Sequence, residues 1–240
     1  MGLRERGILA LDNMSVPDAF RLATKFHGKV WGSKGNDLFD GDHSPNEVVS
    51  CLKRHGRVFV DIKGHDIPAT IANRVKRHAQ NGADLITVHA SGGSAMLEAA
   101  VEAYEKHRPK DGLGILAVTV LTSMTEEECY ALYGCGAKNA VLSFAKLAAR
   151  AGVYGIVCSA KELPVLKRQR FMENIHTVVP GTRSMGKDLH DQARVMTPGE
   201  AIRLGADLLV IGRQLTTAED PDAEAEALDK EITEAERTVS

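Results

Sequence analysis

Apolar residues in this chain fall into short, β-branched runs separated by segments with helical spacing. The runs predict strands over 7–12, 30–34, 58–63, 85–89, 115–120, 155–158, 176–179 and 208–211. Four of the runs are entered in the same way, with a helical stretch that ends in glycine and passes directly into the strand. The junctions are Arg54-His55-Gly56-Arg57, Asn81-Gly82-Ala83-Asp84, Ala151-Gly152-Val153-Tyr154 and Leu204-Gly205-Ala206-Asp207. Glycine just past a helix adopts the left-handed conformation at little cost, so each junction predicts a helix stop followed by a strand.

The intervening segments carry helix-period apolar positions: Val48, Val49 and Leu52; Met96, Leu97, Ala100, Val101 and Tyr104; Val141, Leu142, Phe144, Ala145 and Ala148. Ser44, Thr125 and Thr197 each precede a glutamate by three residues, which predicts capping boxes at three helix starts. Strand and helix alternating eight times within 240 residues predict an α/β fold, a (β/α)8 TIM barrel, as one domain over 1–240. Residues 220–240 form its acidic C-terminal helix and frayed tail. An open doubly wound sheet is the competing architecture, but no G-x-G-x-x-G follows the first strand.

The third run changes character along its length. Val58-Phe59-Val60 gives way to Asp61-Ile62-Lys63, and the two-residue period puts Asp61 and Lys63 on one face. Two charges at the end of an apolar strand are costly to desolvate unless paired. Asp66 follows in a loop closed by Pro68.

Composition narrows the function classes. With 43% hydrophobic and 26% charged residues and a net charge of -2, nothing suggests a nucleic-acid or membrane surface. The apolar run that starts at Gly7 is too short for a signal or membrane segment, and the expected location is cytoplasmic. Cys51, Cys129, Cys135 and Cys158 form no C-x-x-C pair, and the nine histidines include no H-x-H or H-E-x-x-H, so no metal site is expected.

In such a barrel the chemistry lies at the carboxyl ends of the strands. Those ends carry Asp12, Lys34, Asp61, Lys63, His89, Ser123, Pro180, Gly181, Gly212 and Arg213, and no comparable collection is expected at the opposite ends. Pro180-Gly181-Thr182-Arg183 and Gly212-Arg213 follow the seventh and eighth strands, where barrels hold phosphate; glycine admits the anion to the backbone and arginine binds it by a fork. The polar loop 181–194, with Gly181 and Gly186 as pivots, is an expected lid.

Val58 through Thr70, with Asp61, Lys63, Asp66, Ile67 and Pro68 as its core, resembles the signature of the orotidine 5'-phosphate decarboxylase family. So do the segments Val88-His89-Ala90-Ser91-Gly92-Gly93, Thr119 to Met124, Asp191 to Pro198 and Gly205 to Arg213. The resemblance implies conversion of OMP to UMP in de novo pyrimidine biosynthesis, without a cofactor, by a homodimer. It implies a charged network of Lys34, Asp61, Lys63 and Asp66 in which Lys63 protonates the C6 carbanion; Lys29, which precedes the second strand, is the lesser candidate for the Lys34 role. It further implies that Asp66 and Thr70 reach the partner's site, that Asp12 and Lys34 hold the ribose, Ser123 the pyrimidine edge and Arg213 the phosphate. The sequence departs from the family's Pro-Gly-Ile-Arg-Pro at Thr182 and Ser184, and Met185 stands where some relatives have a polar residue. Two alternatives remain at this point: a magnesium-dependent sugar-phosphate decarboxylase or aldolase of the same barrel group, for which Asp37 would be the extra carboxylate, and a non-catalytic nucleotide-binding barrel.

Overall fold

The computed structural model of the chain describes residues 1–41, 43–185 and 196–239. Eight parallel strands, β1 (Gly7–Ala10), β2 (Gly32–Gly35), β3 (Arg57–Gly64), β4 (Leu85–His89), β5 (Gly114–Val118), β6 (Gly155–Val157), β7 (His176–Pro180) and β8 (Leu208–Ile211), close into a barrel in sequential order. β8 returns to β1 through Gly7↔Leu209 and Ile8↔Val210. The expected strands lie where the apolar runs put them. β1 and β5 end two residues early, so Asp12 belongs to the loop beyond β1.

Strand periodicity divides the apolar residues between two cores. Ile8 and Ala10, Phe59, Leu85, Leu116, Val178, and Leu208 and Val210 fill the barrel interior. Their sequence neighbours, among them Leu9, Val58, Val60, Ile86, Leu209 and Ile211, pack outward under the helices. Parallel strands buried on both faces need such continuous apolar runs.

The four junction glycines all have positive φ: Gly56 147°, Gly82 99°, Gly152 78° and Gly205 96°. Capping boxes form at Thr125 and Thr197 as expected, whereas Ser44 makes no side-chain cap bond. A further box, Ser159 with Glu162, starts the short helical segment after β6. The C-terminal helix runs unbroken over Pro221–Val239, and Ala225, Leu228, Ile232 and Ala235 form its buried stripe. No helix among the described residues is long and apolar enough to cross a membrane.

The amino ends of the strands correct one expectation, because they too carry a charged collection. Asp84, fully buried, accepts the Val58 N–H at 2.7 Å and both carboxylate oxygens meet Lys53 Nζ at 2.5 and 2.6 Å. Asp207 repeats the arrangement with the Thr177 N–H at 2.7 Å and Lys167 Nζ at 2.8 Å. Each aspartate in the Gly-Ala-Asp junctions thus pins the start of the preceding strand. Their role is structural, and periodicity alone does not separate it from the chemistry at the other rim.

Glu162 links packing to pH. Burial lifts its carboxyl to about 7, against the Ser159 N–H and Lys161, with the charge of Glu126 adding to the rise. The folded chain therefore holds a proton that the unfolded chain releases above about pH 4. Stability is greatest at the acid side of that window, declines as pH rises through it, and levels off above the folded value. The expected result is a loss on the order of 2 kcal/mol between pH 5 and 8 that Glu162→Gln abolishes. Chemical denaturation of both proteins across that range checks it, and equal slopes would contradict it.

Candidate active site

The barrel interior turns polar at the carboxyl ends because the inward-facing positions change residue type there. On β3 the inward set is Phe59, Asp61, Lys63; on β1 it is Ile8, Ala10 and then Asp12 in the loop. Register pairs Ala10 with Lys34 and Lys34 with Phe59, so Lys34 stands in the layer directly below Asp61. The β1 and β3 chains thereby set carboxylates above apolar residues, and Lys34 reaches them from the layer below.

The charges form a row. Lys34 Nζ lies 2.6 Å from Asp12 Oδ2 and 3.1 Å from Asp61 Oδ2, and Lys63 Nζ lies 2.7 Å from that same Asp61 oxygen. Two carboxylates alternate with two ammonium groups, so the row is neutral as a whole, which is what makes its burial tolerable. Lys34 and Asp61 are each 6% exposed, and Lys63 is the more open end. Burial pushes the Asp61 carboxyl up, but the charges of Lys34 and Lys63 and the hydrogen bonds from Lys63 and Thr87 outweigh it, and the net shift is downward. Asp61 is therefore ionised throughout the neutral range.

The backbone is bent to reach this arrangement. Register shifts between Val60 and Gly64, and Lys63 has φ of 42°, a conformation costing a β-strand residue about 1–3 kcal/mol. Thr87 on β4 holds the distortion: its hydroxyl accepts the Lys63 N–H at 2.9 Å and donates to Asp61 Oδ1 at 2.8 Å. Asn36 Nδ2 donates to the Asp61 carbonyl at 2.5 Å. Thr87 and Asn36 were not singled out from sequence. The available signal was a lone polar residue inside the apolar run of β4, next to the strand that carries Asp61.

The row forms one wall of a cavity of about 280 Å³, lined also by Val118, Val120, Leu121, Thr122, Pro180, Gly181, Arg183 and Gly212. That volume suits a small, partly polar ligand. The phosphate-type elements line the same cavity as the charged row. Gly181 has φ of 77°, and the Arg183 N–H donates to Met196 O at 3.1 Å. Burial and then the charge of Arg213 lower the Arg183 guanidinium from its ordinary value; Arg183 lines the cavity and Arg213 does not. Arg213 opens the short helix Arg213–Thr216, exposed at the rim.

Other expected residues lie elsewhere. Ser123 is exposed, and Thr122, not Ser123, lines the cavity. Asp66 is exposed and accepts the Ile67 N–H at 2.7 Å; Thr70 is half-buried in the helix Pro68–Gln80; neither lines the cavity of this chain. His89 faces His65 edge-on at 5.8 Å and is not among the residues that line the cavity. Lys29 pairs with Asp222 at 2.7 Å. Asp37, the carboxylate the magnesium alternative would use, accepts the N–H of Asn13 at 3.0 Å and does not line the cavity. Gly186, Asp191, Gln192 and Arg194 of the expected lid lie outside the described residues. Thr182 Oγ1, in the departure from the family pattern, is buried without a hydrogen-bond partner among the described residues.

Comparison with known proteins agrees with this fold. Residues 6–228 match the family model described as Orotidine 5'-phosphate decarboxylase / HUMPS family. The orotidine 5'-phosphate decarboxylase of Parasynechococcus marenigrum (strain WH8102) is 44% identical over 230 residues, covering 92% of each chain. That of Geobacillus sp. (strain WCH70) is 42% identical over 230 residues, covering 93% of this chain and 95% of its own. The crystal structure of orotidine 5'-phosphate decarboxylase from Lactobacillus acidophilus superposes with a TM-score of 0.80 at 30% identity, over 95% of this chain and 99% of that one. A closed barrel with an alternating lysine–aspartate row at its carboxyl rim, matched along almost its whole length by these proteins, belongs to the orotidine 5'-phosphate decarboxylase / HUMPS family.

Proposed function

We propose that this protein decarboxylates orotidine 5'-phosphate to UMP, a step of pyrimidine biosynthesis, using its own side chains and no cofactor. The observation that carries the reading is the row Lys34–Asp61–Lys63, with Asp61 Oδ2 shared between the two ammonium groups at 3.1 and 2.7 Å. The relatives named above act, by their names, on this substrate.

The phosphate binds at Pro180, Gly181, Arg183, Gly212 and Arg213, and the ribose hydroxyls meet Asp12 and Lys34. The pyrimidine lies against Val118 and Val120–Thr122, with Ser123 at its edge. Grip on the distant phosphate supplies energy for holding the substrate carboxylate against Asp61, where like charges oppose each other. The C6–carboxyl bond then breaks, CO2 leaves, and the electron pair stays on C6 beside the Lys63 ammonium. Lys63 stabilises that charge and gives its proton to C6, completing UMP. OMP incubated with the protein in D2O is expected to yield UMP labelled at C6; UMP without label would contradict a solvent-exchanging ammonium as the proton donor.

The working unit is a homodimer in the cytoplasm, with Asp66 and Thr70 contributed to the neighbouring site. The exposure of Asp66 next to Ile67, itself 66% exposed, supports such a contact, and the four cysteines are free thiols, as in a reducing compartment. Inactive Lys63→Ala and Asp66→Ala proteins mixed under exchange should recover about a quarter of wild-type activity, since half the pairs are mixed and each has one intact site. No recovery despite subunit exchange would contradict the shared site.

A further inference from the structure

Ser184 and Gln214 each directly follow one of the rim arginines, Arg183 and Arg213, and they are bonded to each other. The Ser184 N–H donates to Gln214 Oε1 at 3.2 Å, and Gln214 Nε2 donates to Ser184 Oγ at 2.7 Å. Both are also tied to the C-terminal helix: Ser184 Oγ donates to Glu231 Oε2 at 2.7 Å, and Gln214 Nε2 to Glu224 Oε1 at 2.8 Å. The other oxygen of Glu231 accepts the N–H of Gly199 at 2.8 Å, in the first turn of the helix Pro198–Arg203.

One carboxylate therefore fastens the segments on both sides of the loop after β7, and through Gln214 the segment after β8. Gln214 and Glu224 are 8% and 9% exposed. Polar groups at that depth persist where their donors and acceptors are met, which makes the cluster stiff. Stiffness has a use here, because Arg183 and Arg213, the two arginines assigned above to the phosphate, carry like charges that oppose each other until the anion arrives.

We infer that Glu231, acting through Ser184 and Gln214, is a positioning residue that presets the spacing of Arg183 and Arg213 for a phosphate group. The inference rests on the functional reading above for the identity of the nucleotide. The test compares Glu231→Gln and Ser184→Ala with wild type, using UMP and uridine as the probes. Losing one charge-assisted bond at this point should weaken UMP binding about tenfold. Uridine binding stays unchanged, and KM for OMP rises by a similar factor while kcat holds within about threefold.

Equal weakening of UMP and uridine, or unchanged binding with only a lowered thermal midpoint, would overturn the inference. So would a wild-type protein that binds UMP no better than uridine. Failure of wild type to turn over OMP would overturn the functional reading instead, and the UMP–uridine comparison still decides this one.

Discussion

Lys63→Ala is expected to lower kcat for OMP by at least about 10⁴-fold, combining loss of the proton donor with loss of charge stabilisation at C6. The fold should survive. Asp61 keeps Lys34 at 3.1 Å and the Thr87 hydroxyl at 2.8 Å, so the substitution strands no carboxylate without a partner. Lys63 is the open end of the row, with a side chain 37% exposed, and the unfolding free energy should change by less than about 1 kcal/mol. Single-turnover decarboxylation and thermal unfolding of the same preparation check both halves. Substantial activity in a folded variant would show that another group delivers the proton.

The second large effect is expected at Asp61, and its signature differs. Asp61→Asn keeps a partner for Thr87 but removes the one carboxylate shared by Lys34 and Lys63. The site then presents two ammonium groups, with only Asp12 to offset them, to a substrate that carries its own carboxylate. Ground-state binding should hold or improve, while kcat falls about 10³-fold because the opposing charge next to the leaving carboxylate is gone and the lysine is no longer aimed. A fall in kcat together with an equal rise in KM would point instead to a plain loss of binding. The combination of tighter binding with slower chemistry separates charge opposition from simple positioning.

How much of this was legible in the chain follows from what each signal depends on. The strands were readable because parallel strands covered on both faces need unbroken apolar runs, and the junction glycines marked where four of the runs begin. Asp61 and Lys63 were readable because charge inside such a run is rare enough to demand a partner. Ser44 failed as a cap although its spacing matches Thr125 and Thr197: the pattern permits the hydrogen bond, and local loop geometry decides whether it forms. Asp84 and Asp207 escaped notice as a second charged rim because their partners Lys53, Thr177 and Lys167 lie about 30–40 positions away in the chain. Thr87 escaped for the same reason. Its role exists only once β3 and β4 are paired with a register shift, which no local pattern encodes.

The phosphate side shows the opposite case. The Gly181–Arg183 and Gly212–Arg213 segments were expected from their place after the last two strands, and the cavity gathers Gly181, Arg183 and Gly212. Ser184 was noticed only as a departure from the family pattern. Its bonds to Gln214 and Glu231 span 30 and 47 positions, which is why a change that looks like a loss in sequence becomes a linkage in the fold.

The most direct test of the central claim is the ultraviolet absorbance of OMP mixed with the purified protein in excess EDTA. The account predicts loss of the orotate band and stoichiometric appearance of UMP. An unchanged spectrum, with activity on a sugar phosphate once magnesium is restored, would contradict it and move the chain to the metal-dependent branch of its family.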